Sequence, residues 1–250
     1  MIGNKYVMGS NCLLYKQVVL LVTTCIFLSA TVHAQFKEPN RPEHDDLPYY
    51  FGIYLAYNNT YLHPSKSYKF LQDDSVLTAE PGSSGGVALG FLATFRYNSR
   101  FEFRLNPNLV IGGAKYFTYT LKNPLPGEDL TQKKTLPSSI FTFPIQVKFN
   151  SDRIDNFRVY LLLDAYVSTD LMANAGNRNA EDLIKLKKND YGVETGIGCN
   201  LYMKFVTLSP ELKFTYGMAN IHARDPNLKY SSVFDKLQSR MITFSLNIEQ

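Results

Sequence analysis

Eight runs of alternating apolar and polar residues follow an export-type leader, and the connections between them alternate long, short, long, short. Period-two alternation places successive side chains on opposite faces of a strand. The runs lie near Tyr50–Leu62, Gly85–Tyr97, Phe101–Tyr119, Ile140–Asn150, Phe157–Asp170, Tyr191–Lys204, Val206–Gly217 and Met241–Glu249. Short links fall at Asn98-Ser99-Arg100, at Ser151–Asn156 and around Lys204-Phe205. Long links span His63–Ser84, Thr120–Ser139, Leu171–Asp190 and Met218–Arg240. Long loops on one end and short turns on the other mark a transmembrane barrel. The sequence therefore predicts an all-β fold, an eight-stranded antiparallel transmembrane β-barrel of the outer-membrane type. An even strand count puts both termini on the short-turn side, the periplasm.

Alternation alone does not say which face is apolar, since a soluble lipocalin-like barrel alternates too. Three features favour the membrane. The runs are about ten residues or longer, near the length a tilted membrane strand needs. The long loops sit at one end only. The polar phase is rich in small residues, among them Gly52, Ala56, Gly86, Ala88, Gly90, Gly192, Gly196 and Gly198. A narrow lumen demands small residues, because eight strands leave room only for side chains.

The N-terminus carries the export address. Lys5 and Lys16 precede an apolar stretch from Val18 to Leu28, and Val32-His33-Ala34 forms a small-x-small cleavage site before Gln35. This is the pattern of a secretory signal peptide, and the apolar stretch is too short for a spanning helix. Val22-Thr23-Thr24-Cys25 fits a lipidation box poorly. The expected organisation is a signal peptide over 1–34, a periplasmic leader over 35–48 and a barrel over 49–250. Cleavage leaves Cys199 as the single cysteine, which excludes an internal disulfide and reads as a small apolar strand residue. The formal charge of +4 falls to about +2 without Lys5 and Lys16, too little for a nucleic-acid partner.

The charges on the polar phase carry both signs. Arg96, Glu102, Arg104, Lys148, Arg158, Asp164, Glu194, Glu211 and Lys213 are expected to face the lumen and to pair there, because isolated buried charges are very costly. Enzymatic readings are weak. Only His44, His63 and His222 remain after cleavage, and none sits mid-strand near a serine, whereas hydrolysis needs such groups within hydrogen-bond reach. Asp73-Asp74 and Glu128-Asp129 lack the ligand spacing of a calcium loop. Pro81-Gly82-Ser83-Ser84-Gly85-Gly86 lacks the lysine and helix of a phosphate cradle. No metal, no cofactor and no catalytic residue is expected. Eight strands leave no open aqueous channel of useful width, so function must lie on the outer loops, the lipid-facing wall or the periplasmic turns. The richest turn holds Lys148, Ser151, Arg153, Asn156 and Arg158, a candidate docking surface.

Several segments resemble the PorT/SprT family of outer-membrane proteins of the Bacteroidetes type IX secretion system. They are Pro48-Tyr49-Tyr50-Phe51-Gly52, Phe143-Pro144-Ile145-Gln146-Val147-Lys148-Phe149 with Ser151, Arg153, Asn156, Arg158 and Tyr160, Asp170-Leu171, and Pro210-Glu211-Leu212-Lys213 with Gly217 and Asn220. The resemblance implies a secretion apparatus in the outer membrane that exports cargo with a C-terminal sorting domain and supports gliding in some organisms. It implies other secretion components and membrane lipid as partners, and it carries over no catalytic residues. A structural or adhesive barrel acting through its outer loops stays open, as does a lipid-modifying enzyme. One departure concerns the end Leu246-Asn247-Ile248-Glu249-Gln250, which lacks the terminal aromatic that commonly closes such barrels.

Overall fold

The computed structural model describes residues 39–67, 76–122, 129–173, 184–223 and 233–250. The signal segment, Cys25, Asp73, Asp74 and Glu128 lie outside them. Twelve strands are described: β1 (Tyr49–Lys66), β2 (Val76–Gly82), β3 (Ser84–Arg96), β4 (Phe101–Leu105), β5 (Asn108–Gly112), β6 (Lys115–Leu121), β7 (Thr131–Leu136), β8 (Ser139–Asn150), β9 (Phe157–Asp170), β10 (Asn189–Tyr202), β11 (Thr207–Gly217) and β12 (Phe234–Glu249). A short 3-10 helix, Pro42–Asp45, precedes them.

Nine of these strands form one closed antiparallel wall. Its order is β1-β12-β11-β10-β9-β8, then β4 and β5 end to end, then β3, which returns to β1. Since β4 and β5 share one position, the ring has eight places, as the sequence predicts. The two are separated by Asn106-Pro107 because proline has no amide to give to the ladder. The neighbours bridge the gap: the Phe91 amide donates to the Pro107 carbonyl, and the Asn106 amide to that of Pro144.

Alternation fixes the two faces. Along β9, Val159, Leu161, Leu163, Ala165 and Val167 point out, while Arg158, Tyr160, Leu162, Asp164 and Tyr166 point in. Outward apolar side chains cover the wall, with Phe91 at 72% exposure and Leu163 at 63%. An apolar surface of this extent does not suit water. A hydrocarbon surrounding, which also requires every backbone group to be paired within a closed wall, accounts for both features. The inner face is narrow enough that Tyr160's ring lies over Gly198, where a Cβ would stand 2.6 Å from it.

At the long-loop end the structure departs from simple loops. Strand β5 stops at Gly112-Gly113, whose φ angles of 83° and 73° are open to glycine and strained for other residues. The chain there leaves the wall and enters a second sheet, β2-β6-β7. Tyr119, expected in the wall, therefore belongs to this sheet. So do parts of two expected loops, and β1 and β12 run past their expected ends to Lys66 and back to Phe234. The result is a cap with its own apolar core. Leu62 of β1, Val76 of β2, Phe117 and Tyr119 of β6, Leu136 of β7, Ile184, Ile221 and Phe234 are all buried in it. Every one of the four long connections contributes, and the rings of Phe117 and Phe234 stand 4.7 Å apart.

Replacing Phe234 with alanine empties the middle of that core. The expected cost is about 3–5 kcal/mol of cap stability. Amide exchange reads it: protection should fall in β2, β6 and β7 and stay unchanged in β9 and β10. Equal loss in both would mean that cap and wall unfold together.

Candidate functional site

Two regions of the barrel hold polar chemistry, the lumen and its short-turn mouth. In the lumen Arg104, from β4, reaches across the bore. Its Nη1 lies 2.6 Å from Glu211 Oε1 on β11, its Nη2 lies 2.6 Å from Glu249 Oε1 on β12, and its Nε donates to Thr94. All three charged groups are fully buried. A guanidinium presents a rigid fork of donors, so one side chain can join two carboxylates on different strands. The remaining acceptor sites are served too: Tyr160 and Ser245 donate to Glu211, and Ser209 donates to Glu249.

Nearer the short turns, Glu102 gathers Arg96 at 2.8 Å, Lys148 at 3.4 Å and the Tyr50 hydroxyl at 2.9 Å. Lys148 also donates to Asn200 and sits 4.0 Å from the centre of the Tyr160 ring. Further along the bore Lys213 lies 3.6 Å from Glu194, which also accepts from Thr215. Asp164 accepts from Gln146 at 2.6 Å. The structure thus joins Arg96, Glu102, Arg104 and Glu211 in one chain of contacts. Glu194 with Lys213 forms a separate pair, and Asp164 stands with a neutral partner. Sequence reasoning missed Glu249, whose inward phase on β12 was a legible signal set aside in favour of the missing terminal aromatic.

At the mouth the residues of the candidate docking turn divide. Lys148 lies wholly inside the lumen, as its inward phase on β8 predicts, and does not reach the surface of the turn. Arg153 and Arg158 do not reach outward either. Both hold Asp45 of the 3-10 helix, at 2.9 and 3.1 Å. Arg153 also donates to the backbone carbonyls of Asn40, Arg41 and Asp155, and it lies 3.7 Å from the Tyr202 ring centre. The Asn40 amide donates to Asn156 Oδ1 at 2.7 Å. Ser151 caps the turn, accepting from the Val159 amide and donating to the Asp152 carbonyl. Ser151, Asp152, Ile154 and Asp155 are the members left facing solvent.

The segment expected as a polar extended leader is therefore, from Pro39 on, a latch folded into the mouth. Arg41 takes a left-handed backbone with φ 51° and starts the helix. Arg41 donates to Thr207 and to the Glu249 carbonyl, and Arg96 donates to the carbonyls of His44 and Leu47. His44 is buried with its ring 4.7 Å from Tyr50 and 5.7 Å from Tyr202. Burial foremost, with Arg41 and Arg96 nearby, pulls its pKa from 6.5 down to about 4, so the ring is neutral at pH 7.

The three histidines lie apart. His44 is in the mouth, His63 on the exposed extension of β1 and His222 within the cap. Among the described residues no group of three His, Cys, Asp or Glu side chains is placed to hold a metal ion.

Comparison with known proteins is consistent with this architecture. A family model described as "outer membrane protein beta-barrel domain" matches residues 34–223. Solved structures with a similar course include OprG of Pseudomonas aeruginosa (14% identity, 79% of this chain and 94% of that one, TM-score 0.42). Neisserial surface protein A shows 13% identity over 78% of this chain and 96% of its own, at a TM-score of 0.34. Ail of Yersinia pestis shows 8% identity over 82% and 100%, at a TM-score of 0.36. No curated protein matches the sequence.

Two expectations follow. Glu211→Ala leaves Arg104 with a single buried carboxylate and should cost about 3–5 kcal/mol, read as a lower temperature for the loss of folded migration on a detergent gel. An unchanged transition would mean that Glu249 alone satisfies Arg104. For the latch, His44 is depressed in the folded state, so the unseated chain takes up the proton first. Seating should weaken as pH falls from about 6.5 and level off below about 4, losing roughly 3 kcal/mol in all. Exchange of the Asn40 amide reports it, and His44→Gln should abolish the dependence.

Proposed function

Because the chain belongs to the outer-membrane protein β-barrel domain family, we propose that it is a non-enzymatic scaffold of the outer membrane serving type IX secretion rather than a conduit. The observation that carries the scaffold reading is the filled bore, crossed by the fork from Arg104 to Glu211 and Glu249. Side chains that must be paired to be buried cannot also clear a path for cargo. The secretion reading draws on the segments resembling the PorT/SprT family. In this orientation the short turns and both termini face the periplasm, the cap faces outward, and the apolar wall contacts membrane lipid.

Docking is assigned to the short-turn mouth as a composite. Arg153, Asn156 and Arg158 hold the latch, Ser151 shapes the turn, and the turn's outer face with the latch makes the surface that secretion partners meet. A second reading, adhesion, is favoured by one specific observation: the four long connections build a folded cap, and a rigid cap can present a defined surface.

Deletion of the gene, with sorting-domain cargo quantified in periplasm and medium, tests the proposal. Cargo should accumulate in the periplasm. The intact gene should restore export, and a gene carrying Arg153→Ala and Arg158→Ala should restore it poorly despite normal barrel levels. Normal export in the deletion strain would remove the secretion role and leave adhesion through the cap.

A further inference from the structure

The Gly112-Gly113 bend has a second effect: it delivers Lys115, the first residue of β6, into a chamber between the lumen and the cap. The Thr60 hydroxyl fixes the bend by donating to the Gly113 carbonyl at 3.0 Å, while the Gly113 amide donates to Gly85. Lys115 is only 4% exposed. Among the described residues its ammonium has neither a hydrogen bond nor an ion pair; Asp170 and Asp190 act on it electrostatically from beyond contact distance. It lines a cavity of about 40 Å³ with Val110, Ile140, Leu186 and Ile221, whose surface is mainly apolar.

Three acids also line the chamber, and other donors already serve each of them. Asp170 accepts from the Ser138 hydroxyl and from the amides of Ser139 and Met172. Asp190 accepts from Ser239, Tyr166 and its own neighbour's amide at Tyr191. Glu194 is held by Lys213 and Thr215. Of the other cations, Arg240 stacks on Tyr216 and donates to backbone carbonyls, and Lys187 and Lys188 are exposed. Lys115 is thus the one cation of the chamber that is both buried and without a contacting acid among the described residues. A buried ammonium left in that state is costly, and an anion brought to it would relieve the cost.

We propose that this chamber binds a small carboxylate, with Lys115 holding the carboxylate and Val110, Ile140, Leu186 and Ile221 enclosing its alkyl part. The chemistry selects among anions. Phosphate or sulfate needs many donors, and the chamber offers one ammonium against apolar walls. The space corresponds to roughly three water-sized spheres, enough for a ligand of about five non-hydrogen atoms such as propionate. The site is separate from the mouth and does not depend on the secretion reading.

The test is titration of the purified full chain in detergent micelles with carboxyl-labelled propionate, followed by NMR, with chloride and inorganic phosphate as competing probes. Saturable binding of one propionate per barrel is expected, at least tenfold tighter than chloride. Lys115→Met should weaken it tenfold or more. Ile221→Phe, which keeps the ammonium and fills the apolar wall, should weaken it as well; this variant carries the test if Lys115→Met loses folded migration on a detergent gel. The proposal falls if the parent chain shows no saturable uptake, if a folded Lys115→Met binds equally well, or if chloride or phosphate binds as tightly as propionate.

Discussion

The ladder between β1 and β12 turns a sheet into a wall without edges, and the rest of the structure answers to that closure. It runs in one register from Gly52 opposite Glu249 to Ser65 opposite Lys236. In a hydrocarbon surrounding an open edge would leave backbone groups unpaired at several kcal/mol each. Closing eight places leaves an interior too narrow for bulk water and wide enough for side chains. Every inward charge must then find its partner in the same small bore, which explains why Arg104 serves two carboxylates and why aromatic hydroxyls fill the remaining acceptor positions.

Closure also divides the work between the two ends. The short turns leave little chain to cover the mouth, and the segment ahead of β1 covers it, held by Asp45 between Arg153 and Arg158. At the other end long connections are plentiful, and they condense on an apolar core around Phe117 and Phe234. The barrel is thus filled along its length and closed by chain at one end and a cap at the other.

The wall was legible in the sequence because a strand with one face in lipid and one in a polar bore must alternate, and Phe157–Asp170 does so without interruption. The inward charges followed from the same phase. Where phase and another cue competed, the cue misled: Glu249 was set aside for its neighbourhood of the chain end, and Lys148, legible as an inward charge, was also attached to the turn beside it. The cap was not legible. Its strands are only six or seven residues long, and β7, with Lys133 and Lys134, has the polarity expected of a loop. What makes them strands is contact between segments far apart in sequence. The break at Asn106-Pro107 was hidden by the clean alternation on either side. The latch was read as extended chain because its three prolines suggest no packing, while the groups that hold it lie from 49 to 208 residues away in sequence.

The fork from Arg104 has a mechanical side as well. Around the ring, β4 and β11 stand four places apart, on opposite sides of an eight-place wall, and Arg104 spans that diameter to reach Glu211. Tyr50 to Glu102 and Lys148 to Asn200 make shorter chords across the same bore. A hoop held by hydrogen bonds between neighbours alone can flatten when pressed from the side, since flattening breaks no neighbouring contact. A hoop with spokes resists, because any change of diameter stretches a charged contact in a dry interior. In a bilayer, where lipids press on it from the side, such a spoked barrel hands lateral load across its centre as a rigid post would.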